Sequence, residues 1–301
     1  MPSLTLIDTL QLGDAIHHRG VTVAPLFPRR DPAAEYITLD EAVAAGLRIT
    51  EVDEAGMVSA LRVHNPTKRR VLLYDGEELT GAKQNRILDL AVLVEAGATA
   101  DIPVSCVEQG RWHHVSPEFT PAPHAGNPSL RRAKAERIVA SPGVPGVAQQ
   151  AVWDEVTFTA NCLGATSETA AHAEAYRHRG DDLSRLADHF PLQPGQCGAV
   201  LGLTGQPRCL DAVSRPDAFA RIYPKLLAGY LLDALTSLDG PPTPEPVLSV
   251  FLDAVLSAPP TTTAAVGLGE GLVLAGDEVT GTGLSLDGEL IQLSAHAAVS
   301  R

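Results

Sequence analysis

The chain has 301 residues, of which 45% are hydrophobic and 20% charged, and its formal net charge at pH 7 is −13. This length and composition predict a globular protein of one large domain or two intimate domains, with a sizeable buried core. The acidic excess argues against nonspecific binding to nucleic acid and against docking on an anionic membrane, because both need an excess of Lys and Arg.

The first half of the chain reads mainly as strands. Thr38, with Glu41 three residues later, forms a capping-box pattern that predicts a helix from Thr38 through Leu47. The segment 86–95 is apolar on both faces, so we expect it in the centre of a sandwich or barrel-like sheet. The predicted strand segments are residues 21–27, 59–74 as a β-hairpin, 86–95 and 100–106.

The second half changes to a helical period and ends in short strands. Helices are predicted at residues 127–139, 147–162, 181–189, for about 20 residues after the capping-box pattern Ser214–Asp217, and after residues 243–246. A hairpin is predicted around residues 204–206, and the tail 261–293 reads as short strands separated by glycine turns.

The predicted fold class is therefore α+β. A strand-rich N-terminal half, residues 1–120, packs with a helical C-terminal half, residues 121–301, which ends in short strands. We expect the two regions to form one intimate unit, with the Pro-rich segment 116–128 as the boundary between them.

Cysteine usage and the chain start indicate a cytoplasmic protein. The first 20 residues lack a basic start followed by an apolar run, and no apolar segment of 18 residues occurs. The abundance of Ala, Gly and Pro suggests a bacterial source. The cysteines form no C-x-x-C pair, so we expect reduced thiols at Cys106, Cys162, Cys197 and Cys209.

The densest mixture of reactive side chains lies between Leu72 and Trp112, in two blocks at residues 75–86 and 105–112. Such a mixture between apolar runs is hard to explain by packing alone. The blocks directly precede the predicted boundary between the two regions, and junctions of this kind are common places for small-molecule sites.

The acidic part of the first block offers a candidate base. Side chains that are adjacent on an extended segment point to opposite faces, so Glu77 would face a cleft while Glu78 faces solvent or an arginine. Solvation or an ion pair is the alternative for both. Cys106 ends a strand and is a candidate nucleophile if a neighbouring Arg111 or Lys83 stabilises its thiolate; the alternative is a small buried hydrophobic residue.

Two cations and two amides stand together in the segment 83–86. Arginine donates in a planar fork, and Asn and Gln both donate and accept, so the set suits phosphate, carboxylate or ribose hydroxyls. The alternative is a polar edge that leads into a strand. Trp112 would stack on a base or ring, or pack in the core.

No metal site is predicted, and the cofactor remains unassigned. Adjacent histidines on a strand point in different directions, and no acidic or cysteine residue completes a recognisable ligand spacing. We therefore do not predict a zinc site at His113, His114 and His124. Exposed or satisfied side chains are expected for His172, His178 and His189. A solvated helix face, or else a second anion contact, is expected for Arg131, Arg132, Lys134 and Arg137. The common signatures for nucleotide-binding loops, nucleophile elbows and zinc proteases are absent from the sequence.

The run Asp75-Gly76-Glu77-Glu78-Leu79-x-Gly81-Ala82-Lys83-Gln84-Asn85-Arg86, followed by the block 103–112, resembles a family. It is the ADP-ribosylglycohydrolase- and rhodanese-phosphatase-associated protein domain family, and the similarity extends over about residues 20–293. The resemblance implies a role around NAD-derived nucleotides, by association.

Under this reading the protein is an enzyme or binding protein for an ADP-ribose-like or other phosphorylated nucleotide metabolite. The base would be Glu77 or Glu108, and the nucleophile Cys106. The ligand-binding set is Glu78, Lys83, Gln84, Asn85, Arg86, Arg111 and Trp112. The alternative is a noncatalytic module that binds a partner enzyme. Convergence of these side chains on one pocket would favour ligand binding, and burial in mutual pairs would favour the module.

Overall fold

The computed structural model describes residue 6 and residues 9–237 and 240–298. Residues 1–5 and 7–8, which belong to the N-terminal segment considered above, lie outside the described residues. Among the described residues, no helix combines the length and the apolar character needed to cross a bilayer.

The described residues form strands and helices in a mixed α+β order, as predicted. The strands are β1 Leu10–Leu12, β2 Ile16–His18, β3 Val21–Pro28, β4 Ile37–Thr38, β5 Arg48–Glu51, β6 Ala60–His64, β7 Val71–Leu73, β8 Glu77–Gly81, β9 Arg86–Leu88, β10 Val92–Val94, β11 Thr99–Cys106, β12 Phe119–Ala125, β13 Gly198–Leu203, β14 Gln206–Val213, β15 Thr261–Ala264, β16 Glu270–Ala275, β17 Val279–Leu286 and β18 Glu289–Ala297. The helices are α1 Leu39–Ala44, α2 Pro128–Ala140, α3 Gln149–Leu163, α4 Ala173–His178, α5 Gly180–Ala187, α6 Pro216–Ala234 and α7 Glu245–Ser257.

Three sheets organise these strands. The largest runs in the order β1-β3-β13-β14-β18-β17-β16-β15, with β2 also paired to β3. A six-stranded sheet runs β12-β8-β9-β11-β6-β5, and a small sheet runs β10-β7-β4. Strand β3 from the N-terminal region pairs with β13 from the C-terminal region, so the large sheet draws strands from both predicted regions.

The centre of the large sheet, at β13, is buried on both faces. Along β13, Ala199 and Leu201 belong to one apolar cluster, which they share with α6, while the intervening Val200 belongs to a second cluster, shared with α7. This alternation is the period-2 pattern of a strand between two packed layers. Helix α6 buries Phe219, Ile222, Leu226 and Tyr230, whose i, i+3, i+4 spacing places them on one face of the helix.

The predicted hairpin over residues 59–74 is wrong. Strand β6 pairs with β5 and β11, whereas β7 pairs with β4 and β10 in a different sheet. The Asn65 side chain stabilises the segment that connects β6 to β7, because its Nδ2 donates to the carbonyls of Arg69 (2.9 Å) and Glu95 (2.8 Å). The chain can therefore pass from one sheet to the other between these two strands. The alternation of Leu61 and Val63 with less buried residues is confirmed in β6, whereas all three residues of β7 are buried, and neither pattern identifies the partner strand.

The predicted strand 86–95 is divided into β9 and β10, which lie in different sheets. Asp89 lies at the break, where its N–H donates to the carbonyl of Pro103 (3.1 Å) and its Oδ1 accepts from Ser105 Oγ (2.8 Å).

The two capping-box predictions have different outcomes. The Thr38 box is confirmed, with Glu41 Oε2 accepting from the Thr38 N–H at 3.0 Å.

Ser214 does not cap α6. The helix begins at Pro216, with Arg215 in the N-cap position, and the Ser214 hydroxyl instead hydrogen-bonds the Tyr36 hydroxyl at 2.8 Å. The tertiary partner therefore replaces the local one predicted from the spacing to Asp217.

A buried ion pair joins α2 to the large sheet. Both Arg131 terminal nitrogens donate to the Asp211 carboxylate at 2.6 Å. Asp211 also accepts from the hydroxyls of Tyr74 (2.7 Å), Tyr230 (2.7 Å) and Ser294 (3.0 Å). Burial acts to raise the pKa of Asp211, but Arg131 outweighs it and holds that pKa well below its usual range.

The prediction of a solvated basic face is wrong for two residues of α2. Arg131 and Lys134 are both buried, and Lys134 Nζ donates to Asp75 and to the Asp89 carbonyl (2.6 Å). Arg137 on the same helix is exposed. The sequence pattern did not distinguish the inner face from the outer one because every residue in the island carries the same charge.

Removing one partner of the buried pair is expected to destabilise the fold strongly. Asp211→Asn leaves Arg131 desolvated without a counter-charge, and we expect a loss of about 3–5 kcal/mol in the free energy of unfolding. Asp101→Asn is the matched control, because the Arg62–Asp101 pair lies at the surface and should contribute little. Urea unfolding of both variants measures the difference; equal midpoints would contradict the central role of the buried pair.

Asp89 predicts a pH dependence of stability. Burial raises the pKa of Asp89 to about 6, although Lys134 and the Ser105 hydrogen bond act against it. A raised folded pKa contributes stability that is present below the unfolded value of 3.8 and is lost as the pH rises through 6. Relative to the wild type, Asp89→Asn should therefore gain about 2–3 kcal/mol between pH 4 and pH 7. Chemical unfolding at several pH values tests this, and a constant difference across that range would contradict it.

Candidate functional site

The three carboxylates of Asp75, Glu77 and Glu78 contact different basic side chains. Asp75 accepts from Lys134 of α2, and Glu77 Oε1 accepts from Lys225 of α6 at 2.9 Å. Glu78 alternates to the opposite side of β8 and contacts two histidines. Both Glu77 and Glu78 are buried, so neither occupies the solvent-facing position that the alternation predicts for one of them.

Gly76 lets the chain pass under the Arg131 side chain. Its φ is +85°, and a Cβ at this position would lie 2.3 Å from Arg131 Cδ. The left-handed conformation and the close approach both require glycine. The spacing Asp75-Gly76-Glu77 is therefore set by the buried ion pair beside it.

The three catalytic candidates are engaged in structural contacts. Glu77 uses its second oxygen, Oε2, to accept from the Tyr74 N–H at 2.9 Å. Glu108 Oε1 accepts from Arg111 Nε (2.9 Å), and its Oε2 accepts from Arg111 Nη2 (2.6 Å) and from the Asn85 N–H (3.0 Å). The roles of Glu77 and Glu108 as a general base stay predictions, because proton transfer would first have to break these contacts.

Cys106 is buried at the end of β11. Its Sγ contacts the backbone of Glu108, donating to the carbonyl (3.3 Å) and accepting from the N–H (3.4 Å). Burial raises the pKa of the Cys106 thiol, against the Glu108 backbone contact and the charge of Arg86. These surroundings favour the neutral thiol over a thiolate, and the nucleophile role stays a prediction.

Arg111 is saturated with partners. Besides Glu108, its guanidinium donates to the carbonyls of Ala82 (2.7 Å), His113 (3.1 Å) and Gly81 (3.2 Å) and to Asn85 Oδ1 (3.2 Å). It therefore clamps the β8–β9 turn onto the segment after β11. A ligand would have to displace one of these contacts to bind here.

Arg86 differs from Arg111 because its donors are largely unused. Its Nη1 donates to Gln84 Oε1 at 2.9 Å, whereas Nε and Nη2 are buried with no partner among the described residues. Trp112 is 46% exposed, and its ring lies 5.6 Å from Arg86 Cζ and 5.5 Å from Lys83 Nζ. We call Lys83, Gln84, Arg86 and Trp112 the arginine site.

The two histidines beside Glu78 come from distant segments. Glu78 Oε2 lies 3.1 Å from His124 Nε2 and 2.9 Å from His172 Nδ1. Burial acts to raise the pKa of Glu78, but the histidines outweigh it and lower the pKa to about 2. We call Glu78, His124 and His172 the histidine cluster; their ligand atoms all lie within 4.8 Å of one another.

A bulge in β12 turns His124 toward Glu78. The register pairs Leu79 with Pro121 and Glu77 with Ala125, so Glu78 alone faces three residues of β12. Extra residues in one strand bend it and redirect a side chain. The Tyr176 ring then stacks on His124 at 3.7 Å, and its hydroxyl donates to the Ala125 carbonyl at 2.6 Å.

A chain of hydrogen bonds fixes the other side of His172. Its Nε2 lies 3.0 Å from Asn127 Oδ1, and Asn127 Nδ2 donates to Asp233. Asp233 also accepts from the N–H and the hydroxyl of Ser129, at 2.9 and 2.8 Å. A cleft of about 280 Å³ opens beside Ser129 and Asp233, at the outer end of this chain.

Sequence reasoning placed Glu78 in the site but missed His172, Asn127 and Asp233. Of the two outcomes expected for His172, exposed or satisfied, the structure shows the second, because the ring is buried within hydrogen-bond distance of Glu78 and Asn127. The residues are separated by dozens of positions and share no motif spacing. The one local signal is the proline pair Pro121 and Pro123 in a strand, which is typical of an irregular edge.

The environment of Cys106 predicts low reactivity. Cys162 is exposed, so iodoacetamide should modify it first in the native protein, while Cys106 reacts only on unfolding. Peptide mass spectrometry over a time course measures both rates, with Cys106→Ser confirming the assignment. Rapid native labelling of Cys106 that is lost in this variant would instead support a nucleophile.

Comparison with known proteins confirms the family resemblance carried by the two polar blocks. The sequence profile of the ARG and Rhodanese-Phosphatase-superfamily-associated Protein domain matches residues 9–296. None of the curated proteins and none of the solved structures that were compared is significantly similar to the chain. Since the match covers nearly the whole chain, this protein belongs to the ARG and Rhodanese-Phosphatase-superfamily-associated Protein domain family.

Proposed function

We propose that the protein binds a small phosphorylated nucleotide metabolite, with an ADP-ribose-like molecule as the first candidate, at the arginine site. The observation that carries this proposal is the Arg86 guanidinium, which is buried and keeps Nε and Nη2 without partners among the described residues. Arg86 lies in the first polar block, within the residues that the family profile matches.

A buried cation with unused donors is costly. Leaving such a donor unsatisfied costs about 1–3 kcal/mol, and more for a charged group. Burial lowers the pKa of Arg86, yet a guanidinium stays protonated in proteins and cannot escape the cost by losing its proton. A phosphate or carboxylate offers two oxygens that match the fork formed by Nε and Nη2.

Trp112 supplies a second recognition element. An aromatic face in contact with solvent suits stacking of a nucleobase, and the nearby charges of Arg86 and Lys83 favour an anionic ligand. Lys83 Nζ already donates to the carbonyl of Ala55 at 2.7 Å, so it also holds the loop over the site.

The carboxylate of Glu51 restricts the kind of anionic ligand that can bind at the arginine site. Its Oε2 is buried without a partner among the described residues, and its charge acts on Arg86. A purely anionic ligand would be repelled by this carboxylate, whereas a ribose hydroxyl could donate to it. A molecule that carries both phosphate and hydroxyl groups satisfies Arg86 and Glu51 together.

The proposal is one of binding. Glu77, Cys106 and Glu108 hold structural contacts that a catalytic role would break, so we assign no reaction step to them.

Ligand-dependent thermal unfolding tests the proposal. The panel contains ADP-ribose, NAD, ribose phosphates and nucleotides, and a ligand at about 100 times its dissociation constant should add roughly 2.7 kcal/mol of stability. Arg86→Met should weaken the responding ligand roughly 10- to 100-fold, since hydrogen bonds to a charged group contribute about 1.5–3 kcal/mol. Without ligand, the same variant should be as stable as the wild type or more stable, because the unpaired donors are gone.

Arg62→Met is the matched control. It removes an exposed guanidinium from β6, which lies in the same sheet as β9 with β11 between them, and should leave ligand affinity unchanged. An Arg86→Met variant that binds as tightly as the wild type, or a panel without any response, would contradict the proposal.

A second candidate function is a module that docks on a partner enzyme. Two observations favour it: Glu77 and Glu108 are buried in mutual pairs with Lys225 and Arg111, and apolar side chains are exposed at Met57 and Val115, in and beside the loops at the arginine site. The family description names proteins of the ARG and rhodanese-phosphatase superfamilies as associates. Co-elution with a purified ADP-ribosylglycohydrolase, lost when Met57 and Val115 are changed to Ser, would support this function.

A further inference from the structure

We propose that the histidine cluster, Glu78, His124 and His172, binds one divalent transition-metal ion. This site is separate from the arginine site, and the argument for it does not depend on the proposed ligand.

The three ligand atoms already converge. His124 Nε2 and His172 Nδ1 lie 3.1 and 2.9 Å from the same carboxylate oxygen of Glu78. In a tetrahedral site with metal–ligand bonds of about 2.0–2.1 Å, neighbouring ligand atoms lie roughly 3.3 Å apart. The two histidine–carboxylate distances therefore need to lengthen by only a few tenths of an ångström to admit an ion, and the two imidazole nitrogens lie within 4.8 Å of each other.

The hydrogen-bond chain fixes the protonation of His172. Asn127 Nδ2 donates to Asp233, so the Asn127 Oδ1 faces His172 Nε2 as an acceptor. His172 therefore carries a proton on Nε2. In its neutral form it then presents the Nδ1 lone pair to the Glu78 carboxylate, which is repulsive unless a second proton or a cation lies between them.

The remaining oxygen of Glu78 is the second, independent observation. Oε1 is fully buried and has no hydrogen-bond partner among the described residues. An unpaired carboxylate oxygen in this position is costly, and a cation at the cluster would satisfy it through bidentate coordination or through the electrostatic field of the ion.

The donor set defines the class of metal. Two imidazoles and one carboxylate are the ligands of catalytic zinc sites and of non-haem iron(II) sites, in which the protein leaves at least one coordination position free. Magnesium and calcium prefer oxygen ligands throughout and do not suit two imidazoles. Zinc is therefore the first probe, with cobalt(II) as its spectroscopic substitute.

The surroundings match those of a built metal site. A metal-binding histidine usually donates its other ring nitrogen to a carbonyl or carboxylate, which fixes the ring, and the Asn127–Asp233 pair performs this function for His172. The backbone of His172 is also fixed, since its N–H donates to the Val107 carbonyl at 2.9 Å. Asn127 and Asp233 are thus positioning residues, and the ligands are the three members of the cluster.

Metal binding by the 301-residue chain tests the proposal. The purified protein is treated with a chelator, dialysed and titrated with zinc by calorimetry, and the bound metal is measured by mass spectrometry. We expect one equivalent of zinc in the wild type and loss of that equivalent in Glu78→Gln, His124→Gln and His172→Gln. Asn127→Ala should weaken the affinity roughly 10- to 100-fold while keeping the stoichiometry.

The double variant His113→Gln/His114→Gln is the matched control. It removes the two histidines that the sequence offers as rival ligands, and it should bind one zinc as the wild type does. Circular dichroism of each metal-free variant separates lost binding from lost folding.

Spectroscopy of the wild type tests the proposal even if a cluster variant does not fold. Cobalt(II) should give the visible absorption bands of a four- or five-coordinate site, and X-ray absorption should report two imidazole ligands. No stoichiometric zinc and no cobalt bands would overturn the proposal and leave the cluster as an imidazolium–carboxylate network. Retention of zinc by His172→Gln with full affinity would overturn it as well.

Discussion

The structure depends on the burial of one ion pair, Arg131 with Asp211. Removing both charges from water is tolerable only because the surrounding groups supply the missing hydrogen bonds, and hydroxyls from three separate elements converge on the carboxylate. The pair therefore fixes α2, α6, β14, β18 and the end of β7 relative to one another. Gly76 follows from the same constraint, since the Arg131 side chain occupies the space where a Cβ would lie.

The positions of the neighbouring carboxylates follow from that arrangement. With α2 and α6 held in place, Lys134 and Lys225 meet Asp75 and Glu77, so these acids act as links between the strands and the helices. Glu78 points to the other side of β8 and meets histidines instead. One short motif thus serves two purposes: two of its acids hold the fold together, and the third belongs to a cluster suited to a metal ion.

Arg86 and Glu78, both on the β8–β9 hairpin, have hydrogen-bonding atoms without a partner among the described residues. In the β8–β9 pairing, Leu79 lies opposite Arg86 and Glu78 opposite Ile87, so the arginine site and the histidine cluster are close along the sheet. Arg86 has unused donors and Glu78 an unused acceptor, whereas both carboxylate oxygens of Glu77 and of Glu108 accept hydrogen bonds. This contrast supports ligand binding at the hairpin more than catalysis by Glu77, Cys106 or Glu108. It favours an anionic ligand at the arginine site and a metal ion at the histidine cluster.

The sequence by itself determined the α+β class, most helix positions, the hairpin around residues 204–206, and the location of the polar blocks. These features depend on periodicity and on caps such as Thr38 with Glu41, which act over a few residues. The tertiary structure alone decided that residues 59–74 divide between two sheets, that Arg131 and Lys134 are buried, and that His172 meets Glu78. Those outcomes depend on partners far away in the chain, and the local pattern around a charged or imidazole side chain is the same whether packing later provides a counter-charge or leaves it in water.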